Sequence, residues 1–515
     1  MNQFSGTDQS TLPTTAPAPA LGRALGDAPA DAPGSGALSR RRLLAGAAGG
    51  VALVAAGQPA WAADATRPGA LRGPALRPRD NQVVRKIRPA RALADLEVLS
   101  ERIGPRIGGT ASEKAAAEFA LTSFRSAGCS DVRLEPFAVA DKFLADIGDP
   151  DGQLPDDICW QAGASPDAGL DTTVTGRVLD VKAATAPVWP TDPAAVTGAV
   201  LLADDAQDAS PVTRVELRAA FVLEAQRRGA AAVVLLPADL EYPRRASATS
   251  PRLVPTTGTT APPWTPVATI PVLGVAQVQK RLLREDLVVR PLRLTIGTTS
   301  HRGLTSNNVF ADIPGRQGRN GSVVYISGHY DSVIGAPGAN DDGSGTVLTL
   351  ELARVLTRLP KADATIRLAL WGSEEQGLLG SRHHVSQLTQ AQRDRVRGVF
   401  QNDMVGTSWS PATRYWLLSF SGTGNATTDR IQAAAARLGY EPQISPVTQR
   451  GASDHQSFQE VGIASANFSW RGESTPALLE PPYHSPEDTI ARNISMDRLT
   501  VSMEMIGCAA YDLAN

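Results

Sequence analysis

Val323-Val324-Tyr325-Ile326-Ser327-Gly328-His329-Tyr330-Asp331-Ser332 is an apolar run that stops on an imidazole, a phenol and a carboxylate. Val323–Ser327 reads as a buried strand, and His329 as a residue at its carboxyl end. The same pattern recurs downstream. Thr365–Trp371 leads into Gly372-Ser373-Glu374-Glu375-Gln376-Gly377, and Val396–Gln401 leads into Asn402-Asp403-Met404. Tyr415–Phe420 and Ile463–Phe468 read as further strands, with helices over Ser344–Leu359, Asn425–Leu438 and Asp497–Ala514. Apolar strands alternating with helices define an α/β fold, a mixed, mostly parallel central sheet flanked by helices. Ligands of such sheets gather in a crevice at the strands' carboxyl ends.

Upstream, Ala92–Leu99 is apolar at helical spacing until Gly104-Pro105-Arg106-Ile107-Gly108-Gly109 breaks it. A helix over Ser112–Ala127 and a strand over Val132–Phe137 follow. Residues 165–298 have a different texture. Short β runs recur at Gly176–Val181, Gly198–Ala203, Ala231–Leu236 and Ile270–Val275, with helical Val215–Arg228 and a Thr/Pro-dense loop, Ala246–Pro266. The segment contains no histidine and reads as a small α+β inserted domain. The expected plan is therefore a leader over 1–62, a linker over 63–85, two segments of one site-bearing α/β domain over 86–164 and 299–515, and the insert over 165–298.

The chain has 515 residues, 42% hydrophobic and 20% charged, with a formal net charge of -2. This balance gives no dense basic patch, so no nucleic-acid partner is expected. Cys129, Cys159 and Cys508 form no Cys-x-x-Cys pair; either one disulfide, Cys129 with Cys159, or free thiols fit. Residues 1–38 are rich in Ala, Pro, Gly, Ser and Thr and read as disordered. Ser39-Arg40-Arg41-Arg42-Leu43-Leu44, the weakly apolar run Ala45–Ala56 and Ala60-Trp61-Ala62 resemble a bacterial twin-arginine signal with its cleavage site. The run is too short to span a bilayer. Export to the periplasm or the exterior, with no stable membrane anchor after signal cleavage, is the expectation.

The strand ends carry His329, Glu374, Glu375 and Asp403. Asn340-Asp341-Asp342-Gly343-Ser344-Gly345 opens a helix and puts Asp341 12 residues after His329, and His484 lies in Pro481-Pro482-Tyr483-His484-Ser485. Alone, an Asp-Asp-Gly turn is an ordinary helix cap and paired glutamates are an ordinary solvated turn. Together, two imidazoles and three carboxylates make a mixed N/O set that suits zinc. Five ligands exceed the usual three of a single catalytic zinc. They match two ions about 3.5–4 Å apart that share a carboxylate.

These strings, Gly-His-Tyr-Asp-Ser, Asn-Asp-Asp-Gly-Ser-Gly, Trp-Gly-Ser-Glu-Glu-Gln-Gly, Asn-Asp-Met and Tyr-His-Ser, resemble the co-catalytic di-zinc aminopeptidase family of secreted leucyl aminopeptidases. The insert, with Gly198–Leu202, Arg228–Val234 and Ile270-Pro271-Val272, resembles a protease-associated domain. The resemblance implies two Zn2+ per chain and peptide substrates cleaved from the N-terminus. It assigns Asp341 as the bridge, His329 and Asp403 to one ion, and Glu375 and His484 to the other. Glu374 becomes the general base and acid, Asp331 the carboxylate that orients His329, and Tyr483 a donor to the oxyanion. Relatives often carry an arginine just before the Ser453-Asp454 pair, where this chain has Ala452. Arg450 is the expected substitute in substrate binding, and His455 is a structural or substrate-facing residue. His383, His384 and His301 are not expected to bind metal. A carboxypeptidase or dipeptidase would use the same centre, whereas a receptor-like binding protein would not need all five ligands. A glutaminyl cyclase would need only one metal.

Overall fold

The computed structural model describes residues 76–255, 266–318 and 321–515. The expected leader, signal and residues 63–75 of the linker lie outside the described residues. Fifteen strands form two bodies among the described residues. The first strand is β1 (Ser130–Ala138). A closed barrel follows, made from β2 (Lys142–Gly148), β3 (Gln161–Ala164), β4 (Thr172–Ala183), β5 (Val200–Asp204), β6 (Ala232–Leu236), β7 (Val272–Gly274) and β8 (Arg293–His301). The chain then returns through β9 (Thr305–Ile313), β10 (Val323–His329), β11 (Thr365–Trp371), β12 (Val396–Gln401), β13 (Arg414–Ser419), β14 (Ile444–Gln449) and β15 (Ser465–Arg471).

β1 and β9 to β15 form one eight-stranded sheet in the order β1-β9-β11-β10-β12-β15-β13-β14. β11, β10, β12 and β15 run parallel, whereas β9 and β13 run antiparallel to their inner neighbours. The strands are apolar on both faces because both faces are covered. In β11, Ile366, Leu368 and Leu370 enter the core beneath the helices Ala111–Ala127, Gly345–Leu356 and Met496–Ala514. Ala369 and Trp371 alternate to the opposite face, with Phe310, Tyr325 and Phe458. From β10 the chain crosses through helix Gly345–Leu356 to β11 on one side, then reaches β12 on the other. That divergence opens a crevice beyond the carboxyl end of β10.

Two expectations need correction. Residues 78–84 of the expected linker form the helix Pro78–Val84. Proline at the helix start suits its fixed φ, Val83 is fully buried, and Asp80 accepts two hydrogen bonds from Arg437 at 2.8 and 3.1 Å. The inserted body also runs from Lys142 to His301 rather than over 165–298. β2 pairs with β8 along its whole length, from Lys142↔His301 to Gly148↔Thr295, and closes the barrel. This long-range pairing leaves no local trace in sequence. Cys129, Cys159 and Cys508 are free thiols; burial pushes Cys129 up to about 12 and Cys159 up to about 11.

Candidate metal centre

His329 is the last residue of β10, and Glu374 and Glu375 form a turn just past β11. Asp403 follows β12 by two residues, and Asp341 lies on the turn before helix Gly345–Leu356. His484 arrives from a loop beyond β15. The strand ends and two loops thus deliver every expected ligand to one crevice. Asp341 faces both imidazoles: its Oδ1 is 3.2 Å from His329 Nε2 and its Oδ2 is 3.0 Å from His484 Nε2. Glu375 Oε2 lies 3.1 Å from His484 Nε2, whereas Asp403 Oδ1 and Glu374 Oε2 each lie 3.9 Å from His329 Nε2. The ligand atoms of His329, Asp341 and Glu375, and those of His329, Glu374 and Asp403, fall within 4.8 Å of one another.

These groups fit cations. Four carboxylates and two imidazoles are gathered where His329, Asp341, Glu374 and Asp403 are at most 9% exposed. Glu375 Oε1 and Asp403 Oδ1 are buried with no hydrogen-bond donor among the described residues. Without cations, burial and neighbouring carboxylates hold Glu374, Glu375 and Asp403 above the usual carboxylate range. Burial lowers His484, but Glu375 and Asp341 reverse that effect and carry it to about 10. Buried like charges are stable only when neutralised, and two divalent ions match the excess.

The turns are fixed by groups that the sequence alone did not reveal. Asp331 lies 3.4 Å from His329 Nδ1, and it accepts the backbone N–H groups of Glu374 at 2.9 Å and Glu375 at 3.2 Å. Asp342 accepts from His329 N, Gly345 N and Met404 N at 3.0, 2.8 and 3.2 Å, tying three ligand-bearing segments together. Asp488 accepts from Asn340 N and Asp341 N, both at 3.0 Å. Glu113 accepts from Ser373 N at 3.0 Å, just before the paired glutamates. The Gly104–Gly109 segment, read only as a helix break, supplies the fully buried Arg106. Its guanidinium donates to the carbonyls of Tyr330, Pro337 and Gly338. Gly345 permits close packing, because a Cβ there would overlap the Asn402 carbonyl. Ser373, Met404 and His484 have φ values of 52°, 71° and 54°. Left-handed backbone in non-glycine residues is strained and concentrates at functional sites; here it flanks Glu374 and Asp403 and holds His484.

Tyr483 stacks on His484 with ring centroids 3.7 Å apart. It lines a cavity of about 250 Å³ with Asp341, Glu375, Asp403, His484, Arg450 and Arg471. Arg450 is therefore placed where a substrate would sit. His455 is not: it is fully buried, and its Nε2 bonds the Arg450 carbonyl at 2.8 Å. Its imidazole anchors the Arg450 backbone, and burial holds it down at about 4. His384 is a packed residue between Phe310, Trp371 and Phe458, with Nε2 near Tyr325 Oη and Nδ1 on Glu135. His383 stacks on Phe137, and His301 ends β8.

The barrel touches this region. Tyr242 Oη donates to the Leu479 carbonyl at 2.7 Å, and Arg245 donates to the Tyr483 carbonyl at 3.4 Å. The Arg245 guanidinium also lies 5.2 Å from the centre of the Tyr483 ring. Among the described residues, no helix is long and apolar enough to cross a membrane.

The Peptidase family M28 profile matches residues 308–509. Aminopeptidase YwaD of Bacillus subtilis is 32% identical over 426 residues, which cover 82% of this chain and 84% of that protein. The solved structure of BSAP, a zinc aminopeptidase from Bacillus subtilis, is 29% identical with a TM-score of 0.56, over 83% of this chain and 95% of that one. The aminopeptidase from Aneurinibacillus sp. strain AM-1 is 27% identical with a TM-score of 0.51, over 85% and 96%. With the motifs gathered at one crevice and a relative matched along most of both chains, this chain belongs to peptidase family M28.

Proposed function

We propose that this chain is a zinc-dependent aminopeptidase that removes N-terminal residues from peptides, with Glu374 as its proton carrier. The observation that carries the reading is Asp341, whose two carboxylate oxygens each face a different imidazole within a carboxylate-rich crevice. The chemistry that zinc supplies when bound is polarisation of the scissile carbonyl and a lower pKa for the attacking water. His329, Asp341 and Asp403 would hold one ion, and Asp341, Glu375 and His484 the other.

The chain's own residues do the rest. Glu374 Oε2 accepts the proton of the attacking water and returns it to the leaving amine, so it must stay free of lasting coordination. Asp331 holds the Glu374 backbone and lies 3.4 Å from the His329 ring, so the base and one ligand adjoin the same carboxylate. The Tyr483 hydroxyl donates to the oxygen that becomes negative in the tetrahedral stage. Its ring is held between His484 and Arg245.

The barrel's parallel β4-β5-β6-β7 run and its lack of histidine between residues 165 and 298 support a non-catalytic, protease-associated role. Export by the twin-arginine route rests on Ser39–Leu44 and Ala60–Ala62. A panel of free-amine, N-acetylated and C-amidated peptides tests the activity. Cleavage from the amine end that N-acetylation abolishes is expected. Release of C-terminal residues from N-acetylated peptides, with amino-acid anilides untouched, would sink the aminopeptidase assignment in favour of a carboxypeptidase.

A further inference from the structure

Glu113 sits in the first turn of the helix Ala111–Ala127 and is 1% exposed. Among the described residues it meets donors only. Its Oε2 accepts from Gly109 N at 2.6 Å, and its Oε1 from Ser306 Oγ at 2.7 Å, Ser373 N at 3.0 Å and Ser373 Oγ at 3.3 Å. Donors on both oxygens suit an ionised carboxylate, since an amide in its place would turn its NH2 group on one of them. Burial and the charge of Asp331 oppose that ionisation and push Glu113 up to about 7. Keeping two buried carboxylates near each other is costly.

What the two share is one turn. Asp331 takes the N–H groups of Glu374 and Glu375, and Glu113 takes that of Ser373 just before them. Three successive N–H groups end on two carboxylates, a backbone concavity of the kind that binds anions. Ser373 enters it at a left-handed φ of 52°, a conformation that non-glycine residues hold only with support from their surroundings. Gly108 lets the N-terminal segment close on the same turn, because a Cβ there would overlap the Ser373 hydroxyl and the Gln376 amide.

The paired glutamates depend on this support unequally. Glu375 is held at both ends, by Asp331 at its N–H and by His484 3.1 Å from its Oε2. The Glu374 carboxylate comes no nearer than 3.9 Å to His329 Nε2, so its aim is set by the backbone beneath it. We infer that Glu113 is a positioning residue for the proposed proton carrier: through Ser373 it aims the Glu374 carboxylate at the attacking water and the leaving amine. The inference rests on the reading of Glu374 as that carrier.

Aim and fold separate on the leaving group. p-Nitroaniline is a weak base and departs with little help from an acid, whereas the amine released from Leu-Gly-amide must be protonated. In zinc-loaded, full-length Glu113→Gln, kcat/KM on Leu-Gly-amide should fall about tenfold further than on Leu p-nitroanilide, the scale expected when a proton carrier is misaimed. Zinc should stay close to about two ions per chain, and KM on the anilide within about twofold of wild type. Equal losses on the two substrates, or none, would overturn the inference and leave Glu113 a packing residue. Loss of zinc from a folded Glu113→Gln would overturn it too, because the carboxylate would then build the centre rather than aim the base. Thermal melting accompanies the kinetics. If Glu113→Gln does not fold, Ser306→Ala decides: it removes one donor that orients Glu113 and keeps the charge. The same ratio should then shift by about threefold, the usual worth of one hydrogen bond, and an unchanged ratio would overturn the inference. Near-wild-type kcat in Glu374→Gln would overturn the proton-carrier reading itself. A crippled Glu374→Gln beside an unselective Glu113→Gln would overturn the positioning role alone.

Discussion

Glu374 and Glu375 are adjacent in sequence but face different partners. Glu375 Oε2 meets His484, whereas Glu374 Oε2 points toward His329 at a looser 3.9 Å. The difference predicts different failures for the same substitution. Glu374→Gln keeps the shape and both zinc sites but cannot take a proton from water. Its kcat should fall by about 10²–10⁴-fold, the usual worth of a general base, with close to two zinc ions retained. Glu375→Gln should instead lose one zinc and recover part of its activity when zinc is added. Steady-state kinetics with metal analysis separate the two, and near-wild-type kcat in Glu374→Gln would refute the proton-carrier role. Asp342 makes a third case at this scale. Its carboxylate serves three backbone donors from separate segments, so Asp342→Ala leaves them buried and unpaired at about 1–3 kcal/mol each. The expected result is a large drop in melting temperature; an unchanged melting temperature would mean that the knot is not structural.

At the scale of elements, the sequence was legible wherever a strand ended on chemistry. β10, β11 and β12 were readable from apolar runs bounded by glycine and polar residues, and His329, Glu374, Glu375 and Asp403 followed from their places just beyond the strand ends. β9 and β14 were not recognised. β9 mixes Ser306, Asn307, Asn308 and Asp312 with its apolar residues, because its polar groups serve neighbours: Asn308 Nδ2 donates to Glu135 and to the Gly380 carbonyl. A strand whose polar side chains are satisfied across the fold breaks the alternation that a local reading needs. His455, expected to be structural or substrate-facing, takes the structural role and holds the Arg450 backbone. The helix Leu379–Gln387 carries a testable consequence at this scale. Its His384 is packed among aromatic rings, and burial lowers its pKa below 6.5 despite Glu135. The unfolded chain therefore binds more protons as pH drops below about 6.5, so stability present at neutral pH is lost on acidification. Glu135, held low by His384 against the effect of burial, adds its own loss only at lower pH, below the usual glutamate range. Thermal midpoints measured from pH 7.5 to 5.5 should fall less steeply in His384→Gln than in the wild-type protein. Equal slopes would show that His384 does not control acid sensitivity in this window.

For the whole molecule, the boundary of the inserted body decides whether it can be removed. Ala138 of β1 pairs with Thr305 of β9, Val139 N donates to the Leu304 carbonyl at 3.1 Å, and Asp141 Oδ1 accepts from Gly303 N at 2.9 Å. The barrel thus hangs from the end of an antiparallel pair. Joining Asp141 directly to Arg302 would leave Val139-Ala140-Asp141-Arg302-Gly303-Leu304 as a short hairpin loop, with Gly303 already at a φ of 61°. That variant should fold, bind close to two zinc ions and cleave a small anilide. Cutting at 165–298 instead would strand β2 and β3 without β4 to β7 and most of β8, exposing Phe143, Leu144 and Ile147 and opening sheet edges. Such edges promote association, so this second variant should elute as aggregate. The clean excision also removes Tyr242 and Arg245 from the loop that carries Tyr483 and His484. Peptide-length preference and KM should therefore change more than kcat on the anilide, and chelator should strip the ion held by His484 sooner than in the intact enzyme. A cleanly excised, folded variant that binds no zinc would show that the barrel builds the centre rather than shaping access to it. Size-exclusion chromatography, zinc content and anilide kinetics on the two deletions distinguish these outcomes.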